Sequence, residues 1–360
     1  MAAVVEAIPW LTAPRAALAG LHARGAHALL LHGPAGTGKW DLAMSFACDV
    51  LCERAVPPAR ACGTCASCLL MAAGNHPDLR VVVPDALAER RPGAREQDGE
   101  DAPASAADAG AAPRTKPSRE IKIDQVRELV SLTGLSAHRG GARVVVLGPA
   151  ECLNLSAANS LLKGLEEPPP VSLFLLASDQ IDRCLPTIVS RCTLVRVAVP
   201  PRELAVRWLQ TQGVGEDAGR RLVEAGGAPL AALRAGEEVL APEMRASLLA
   251  LLRRGAVLAP ADVANDVPRT VPILASIALF QRWGWDYFCF RMGGSLRYHP
   301  EDAGSFEALA RHWSPRAAAA WIDRLRALRA VAEHPLNARA AIEGVLLDYI
   351  GSIAAGREGR

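Results

Sequence analysis

The chain has 360 residues, enough for two or three domains, because single hydrophobic cores usually stop growing below that length. Half of the residues are apolar and 22% are charged, as in an ordinary globular chain, and 40 basic against 38 acidic residues leave a net charge of +2. That balance excludes an electrostatic case for a free-standing nucleic-acid binder. The opening MAAVVEAIPW lacks a basic segment and carries Glu6, so no secretory leader is expected. The longest uncharged apolar run, about Thr270 to Phe280, is too short to cross a bilayer. A cytoplasmic protein is expected, and four of its nine cysteines cluster between positions 52 and 68, a pattern that in a reducing compartment points to metal and not to disulfides.

Residues 26–32, AHALLLH, read as a buried strand that runs into a glycine-rich turn at Gly33. A helix follows from about Lys39 to Cys52, with Leu42, Ala43, Phe46 and Val50 on one face. LRVVVPD (79–85) reads as a second strand. From Ala88 to Ser118 there is no larger aliphatic or aromatic side chain, too little apolar surface to offset the entropy of ordering, and a disordered insertion is expected. Order resumes with an amphipathic helix in IKIDQVRELVSLTGL (121–135), followed by strands at 142–148 and 171–178. Strands alternating with helices imply an α/β domain with a parallel sheet over 1–199. After Pro200 and Pro201 the periodicity is helical, which predicts a small helical domain at 200–240 and a larger all-α domain at 241–360.

Gly33-Pro34-Ala35-Gly36-Thr37-Gly38-Lys39 follows a strand and opens a helix, the context in which G-x-x-x-x-G-K forms a phosphate loop. Gly33, Gly36 and Gly38 let backbone N–H groups face phosphate oxygens, and Lys39 adds a positive charge at the helix N-terminus. The next position should be Ser or Thr, whose hydroxyl holds Mg²⁺, and here it is Trp40. The second metal-binding element should be acidic residues after an apolar strand, but Val144-Val145-Val146-Leu147 is followed by Gly148-Pro149, and Glu151 is poorly placed to stand for both carboxylates. ATP binding remains open; hydrolysis is not expected, and no Mg²⁺ site is expected.

Cys52, Cys62, Cys65 and Cys68 form C-x9-C-x2-C-x2-C. Two consecutive C-x2-C steps aim three thiolates at one ion, and Cys52 at a helix end can complete a tetrahedron, so structural zinc is expected. His76 reads as a turn residue; Cys48, Cys152, Cys184, Cys192 and Cys289 read as packing thiols.

Three further segments carry a family resemblance. Ala158-Asn159-Ser160-Leu161-Leu162-Lys163-Gly164-Leu165-Glu166-Glu167-Pro168-Pro169 resembles the helix-and-turn signature of clamp-loader AAA+ proteins, and Ser190-Arg191-Cys192 resembles their Ser-Arg-Cys motif. The cysteine module after the phosphate-loop helix is similar to one in gamma/tau and delta prime subunits of bacterial DNA polymerase III. Trp283-Gly284-Trp285 and Asn337-Ala338-Arg339 resemble a collar domain. The resemblance implies an AAA+ α/β P-loop domain with a zinc module, a small helical lid and an all-α collar that oligomerises. Gly227-Ala228-Pro229-Leu230 is similar to the element where active members place a nucleotide-sensing arginine, and Leu230 stands there instead. With Trp40 and Gly148-Pro149, that loss implies the non-hydrolysing delta prime branch.

By the same resemblance Arg191 is an arginine finger acting in trans on a nucleotide held by a neighbouring gamma/tau subunit. The implied partners are gamma/tau and delta subunits in a heteropentamer, with the beta sliding clamp and primed DNA reached through the assembled complex. Lys163, Glu166 and Glu167 read as helix or interface residues, and Trp283, Trp285, Tyr287, Phe288 and Phe290 as collar core. Two alternatives stay open: a competent gamma/tau-like AAA+ ATPase, and a zinc-containing adaptor whose P-loop is vestigial.

Overall fold

The computed structural model describes residues 8–88, 118–127, 141–234, 240–332 and 337–358. Most of the 88–118 insertion lies outside the described residues, as do positions 128–135 of the helix expected over 121–135, of which 123–127 are helical. The described residues form two compact units: Met1–Gly215 with Gly227–Ala231, and Glu216–Gly226 with Ala232–Arg360.

The first unit is built on a five-stranded sheet in the order β2-β3-β4-β1-β5, with β1 at Ala28–His32, β2 at Leu79–Val82, β3 at Arg143–Leu147, β4 at Ser172–Ser178 and β5 at Thr193–Arg196. Every pairing is parallel. This is a parallel α/β arrangement, with all strands pointing the same way, so the loops that leave their carboxyl ends share one edge. The phosphate loop, Gly148, Asp179 and Val197 all lie along it.

Strand alternation divides the buried side chains between two faces. Ala28, Leu30, Val145, Leu147, Phe174 and Leu176 pack with Ala157, Ala158, Leu161 and Leu165 from the helix Leu155–Glu166. Leu29, Leu31, Val144, Val146, Leu173 and Leu175, equally buried, point to the opposite face, where the helix Lys39–Leu51 lies against β1, β3 and β4. Burial on both faces explains why these strands read as continuous apolar runs. β5 is the one strand that sequence reading misses: it is four residues long at the sheet edge, and only Val195 of the four is buried.

The second unit is helical among the described residues. Its principal helices are Pro242–Arg254, Ile273–Arg291, Pro315–Val331 and Ala338–Glu358. They enclose an aromatic core of Phe280, Trp283, Tyr287, Phe306, Trp313, Trp321 and Tyr349, each 1% exposed or less. The polar handles of these rings are satisfied inside the core. Trp283 Nε1 donates to Tyr349 Oη at 3.3 Å, Trp321 Nε1 to Val345 O at 3.0 Å, and Tyr349 Oη to Leu252 O at 3.1 Å. Gly284 lets a neighbouring helix come close, because a Cβ there would meet Ile322 Cδ1 at 2.7 Å.

Helical phase also corrects the sequence reading of this segment. Trp283 and Tyr287 are one turn apart and face inward, whereas Trp285, about 200° around from Trp283 at the helical period, is 54% exposed. Phe288 and Phe290 pack only partly against the core. Trp283→Ala should therefore cost about 3–5 kcal/mol of stability, and Trp285→Ala about 0.5 kcal/mol or less. Denaturant midpoints of the two variants check this; equal midpoints would contradict the assigned phase.

Candidate functional site

The phosphate loop leaves β1 and is shaped by glycines with positive φ at Gly33, Gly36 and Gly38, of 151°, 76° and 95°. Two of them also permit contacts that no larger residue would. A Cβ on Gly33 would lie 2.1 Å from Val197 O, and one on Gly36 would lie 2.6 Å from Ala231 Cβ and 2.7 Å from its backbone nitrogen. The loop is bonded back onto its own chain. Leu230 N–H donates to Gly36 O at 3.0 Å, Thr37 Oγ1 to Pro34 O at 3.0 Å, and Trp10 Nε1 to Thr37 O at 2.8 Å. Leu230 itself is buried and lies close to Gly38.

Lys39 is 4% exposed, and its amine is engaged within the chain, 2.6 Å from Pro34 O and 2.6 Å from the Asp179 carboxylate. Asp179 directly follows β4, and its N–H donates to Glu151 Oε1 at 3.0 Å. One polar chain thus joins the phosphate-loop lysine, the end of β4 and the turn after β3. Glu151 serves as an acceptor for backbone, with its second oxygen buried and unbonded. Burial, with Arg196 and Lys39 nearby, lowers the pKa of the neighbouring His32. Sequence reasoning did not single out Asp179. The available signal was its place at the carboxyl end of the strand beside β1.

The two positions that would supply magnesium ligands are adjacent in space. A Cβ on Gly148 would meet Trp40 Cζ3 at 3.4 Å and Ala177 O at 3.0 Å. An indole ring and a crowded glycine therefore stand where a hydroxyl and a carboxylate would have to converge.

The helix Lys39–Leu51 ends at the cysteine module. Sγ atoms of Cys52, Cys62, Cys65 and Cys68 all lie within 4.8 Å of one another, with Cys52–Cys65 and Cys62–Cys68 at 4.0 Å. A tetrahedral zinc thiolate site has sulfur–sulfur edges of about 3.8 Å, set by bonds of about 2.3 Å, so the donor set and its spacing fit such an ion. Backbone N–H groups already point at the sulfurs: Cys62 N–H at Cys52, Cys65 N–H at Cys62 and Cys68 N–H at Cys65, at 3.3, 3.3 and 3.4 Å. Hydrogen bonds from Thr64 and the Cys65 N–H draw the Cys62 thiol down to about 6. His76 is not part of this group; its Nδ1 accepts the Asp78 N–H at 3.1 Å, as in a turn.

A buried ion pair ties the module to the domain. Arg15, on the helix Thr12–Ala23, donates from Nε and Nη2 to Asp49 Oδ2 at 3.0 and 2.5 Å, and from Nη1 and Nη2 to the carbonyls of Pro58 and Ala59 at 3.3 and 3.4 Å. Asp49 Oδ1 accepts the Ala61 N–H at 2.8 Å. Burial pushes the Asp49 carboxyl up more than the Ala61 N–H and Arg15 pull it down. The pair is therefore costly to bury, and its contribution lies in fixing the 53–61 loop ahead of Cys62.

Arg191 lies on a separate face. It follows the short helix Pro186–Val189, anchored by buried Ile188 and Cys192, and its side chain is 35% exposed. Its Nη1 donates to Thr187 O at 3.1 Å and Ser190 Oγ at 3.4 Å, while Nε donates to Glu166 Oε1 at 2.5 Å. The structure thus supplies a partner for Glu166 that sequence reading had not found. The signal was the pair of motifs themselves, whose mutual approach only the fold reveals.

Comparison with known proteins bears on this arrangement. Residues 20–201 match a family model described as DNA polymerase III, delta subunit. The DNA polymerase III subunit delta' of Pseudomonas aeruginosa is 36% identical over 305 residues, covering 82% of this chain and 79% of that one. The chain belongs to the DNA polymerase III delta prime family. The delta prime subunit of Yersinia pestis is also 36% identical, over 68% of this chain and 65% of that one. Among solved structures, a DNA polymerase III gamma subunit-related protein from Thermotoga maritima overlays at a TM-score of 0.40 and 16% identity, over 92% of this chain and 96% of that one. No helix among the described residues is long and apolar enough to cross a membrane.

For this delta prime family member, Asp49→Ala should lower stability by about 3–5 kcal/mol, because it strands the Arg15 charge in the interior. Urea unfolding measures the change. An unchanged midpoint would show that the pair does not brace the module.

Proposed function

We propose that this chain is the non-hydrolysing subunit of the DNA polymerase III clamp loader, and that it completes a neighbouring subunit's ATP site with Arg191. The observation that carries the reading is the opposition between two cations. Lys39 is buried and engaged by Pro34 and Asp179, whereas Arg191 is presented at the surface with its guanidinium held in place. A guanidinium suits a trans contact because it is always charged and offers forked donors to phosphate oxygens.

The chain's own loop supplies no side-chain oxygen at position 40 and no carboxylate at 148–149, so γ-phosphate charge would go unstabilised there. In this account the region 1–199 is an AAA+ domain, 200–240 a lid and 241–360 a collar that joins gamma/tau and delta subunits in a pentameric ring. The ring loads the beta sliding clamp onto primed DNA, and contact with DNA comes from the assembly and not from a basic patch on this chain. Cys52, Cys62, Cys65 and Cys68 hold a structural zinc ion that supplies cross-linking energy to a loop with little core of its own.

Arg191→Ala in the reconstituted loader should leave assembly intact and lower DNA-stimulated ATP turnover at the site that this chain completes by about 10³-fold or more, within the range of known trans arginines. Steady-state hydrolysis beside size-exclusion of the complex checks it, and unchanged turnover would reject the role.

A further inference from the structure

Glu166 and Arg191 belong to two separate sequence motifs, 25 residues apart, and the fold joins them side chain to side chain. Each is anchored by a buried neighbour. On one side, the helix Leu155–Glu166 is capped by Asn154, whose side chain accepts the Ala157 N–H at 2.8 Å, and is seated on the sheet through Ala157, Ala158, Leu161 and Leu165. Phe174 packs over Gly164, where a Cβ would be 3.3 Å from Cζ, so the last turn of that helix cannot shift freely. On the other side, Arg191 lies between the preceding turn and buried Cys192, and its N–H donates to Ile188 O at 3.1 Å.

Between these two anchors the guanidinium is held at both ends. Nε and Nη2 face Glu166 Oε1, and Nη1 faces Thr187 O and Ser190 Oγ. Both side chains are substantially exposed, 35% for Arg191 and 49% for Glu166. An ion pair that exposed contributes little to folding, so stability does not account for it. What it does accomplish is the removal of rotamer freedom from a long side chain before any partner arrives.

We propose that Glu166 is the positioning residue of the Arg191 finger, holding the guanidinium plane in the orientation in which it meets the neighbouring subunit's phosphate. The proposal rests on the reading of Arg191 given above. Glu166 does not touch the nucleotide; it acts only through Arg191, and its charge and its oxygen are separable.

The test is steady-state ATP hydrolysis by the reconstituted complex in the presence of primed DNA and clamp, with four forms of this chain: Glu166→Ala, Glu166→Gln, Arg191→Ala and the double variant Glu166→Ala/Arg191→Ala. Glu166→Ala should lower kcat roughly tenfold while KM for ATP stays within about twofold, as expected when a transition-state contact is misplaced. Glu166→Gln, which keeps an acceptor oxygen, should recover most of that loss. The double variant should be no slower than Arg191→Ala alone, because the two residues act as one unit.

If Arg191→Ala slows turnover but Glu166→Ala does not, or if their effects multiply, the finger stands and the positioning role falls. A faster Glu166→Ala complex would also overturn it, by making the carboxylate a latch that restrains the arginine. If Arg191→Ala itself changes nothing, the finger reading fails and takes this proposal with it. Size-exclusion of each complex and a denaturant midpoint for Glu166→Ala separate these outcomes from loss of assembly or folding.

Discussion

The close approach of Trp40 to position 148 is the constraint on which the rest of the site depends. In a hydrolysing P-loop protein, a hydroxyl after the loop lysine and a carboxylate at the end of a nearby strand converge on one magnesium ion. Here the same two positions do converge, yet they hold an indole and a glycine, whose added Cβ would lie a tight 3.0 Å from Ala177 O. Lys39 is a buried bridge from the loop to Asp179, and Asp179 in turn holds Glu151. The packing of Leu230 and Ala231 on Gly36 and Gly38 completes a loop that is bonded to its own domain.

Bonded in this way, the loop also serves as frame. The helix that it opens has Lys39 as its first residue and carries Asp49 in its last turn, which with Arg15 braces the loop between Cys52 and the other three thiols. On the opposite sheet face, the helix Leu155–Glu166 uses its apolar stripe for packing and its final residue for Arg191. The same parallel sheet therefore fixes the glycine-rich loop and its buried Lys39 at one place and presents a cation at another. Rigidity is the common requirement of the proposed role, in which an arginine offered to another subunit's nucleotide is held in place by its own chain.

Much of this was legible in sequence because it rests on short-range patterns. Buried parallel strands such as Leu173–Ala177 read as uninterrupted apolar runs, and the phosphate loop is a contiguous segment between a strand and a helix. The spacing of Cys52, Cys62, Cys65 and Cys68 likewise encodes a tight turn. What escaped reading depends on contacts between distant residues or on a partial pattern. Asp179 lies 140 positions from Lys39, Glu166 bonds Arg191 across a strand and a loop, and the Arg15–Asp49 pair spans helices of no special composition. β5 is short and half-covered, so it shows no apolar run. Trp285 was assigned to the core with its neighbours because composition alone hides helical phase.

The most direct test of the account is hydrolysis by the purified chain alone at saturating Mg-ATP. Inorganic phosphate release should stay at the buffer background. Sustained release that Lys39→Ala abolishes would contradict it, since it would show a metal held and a triphosphate cleaved in the space that Trp40 and Gly148 fill.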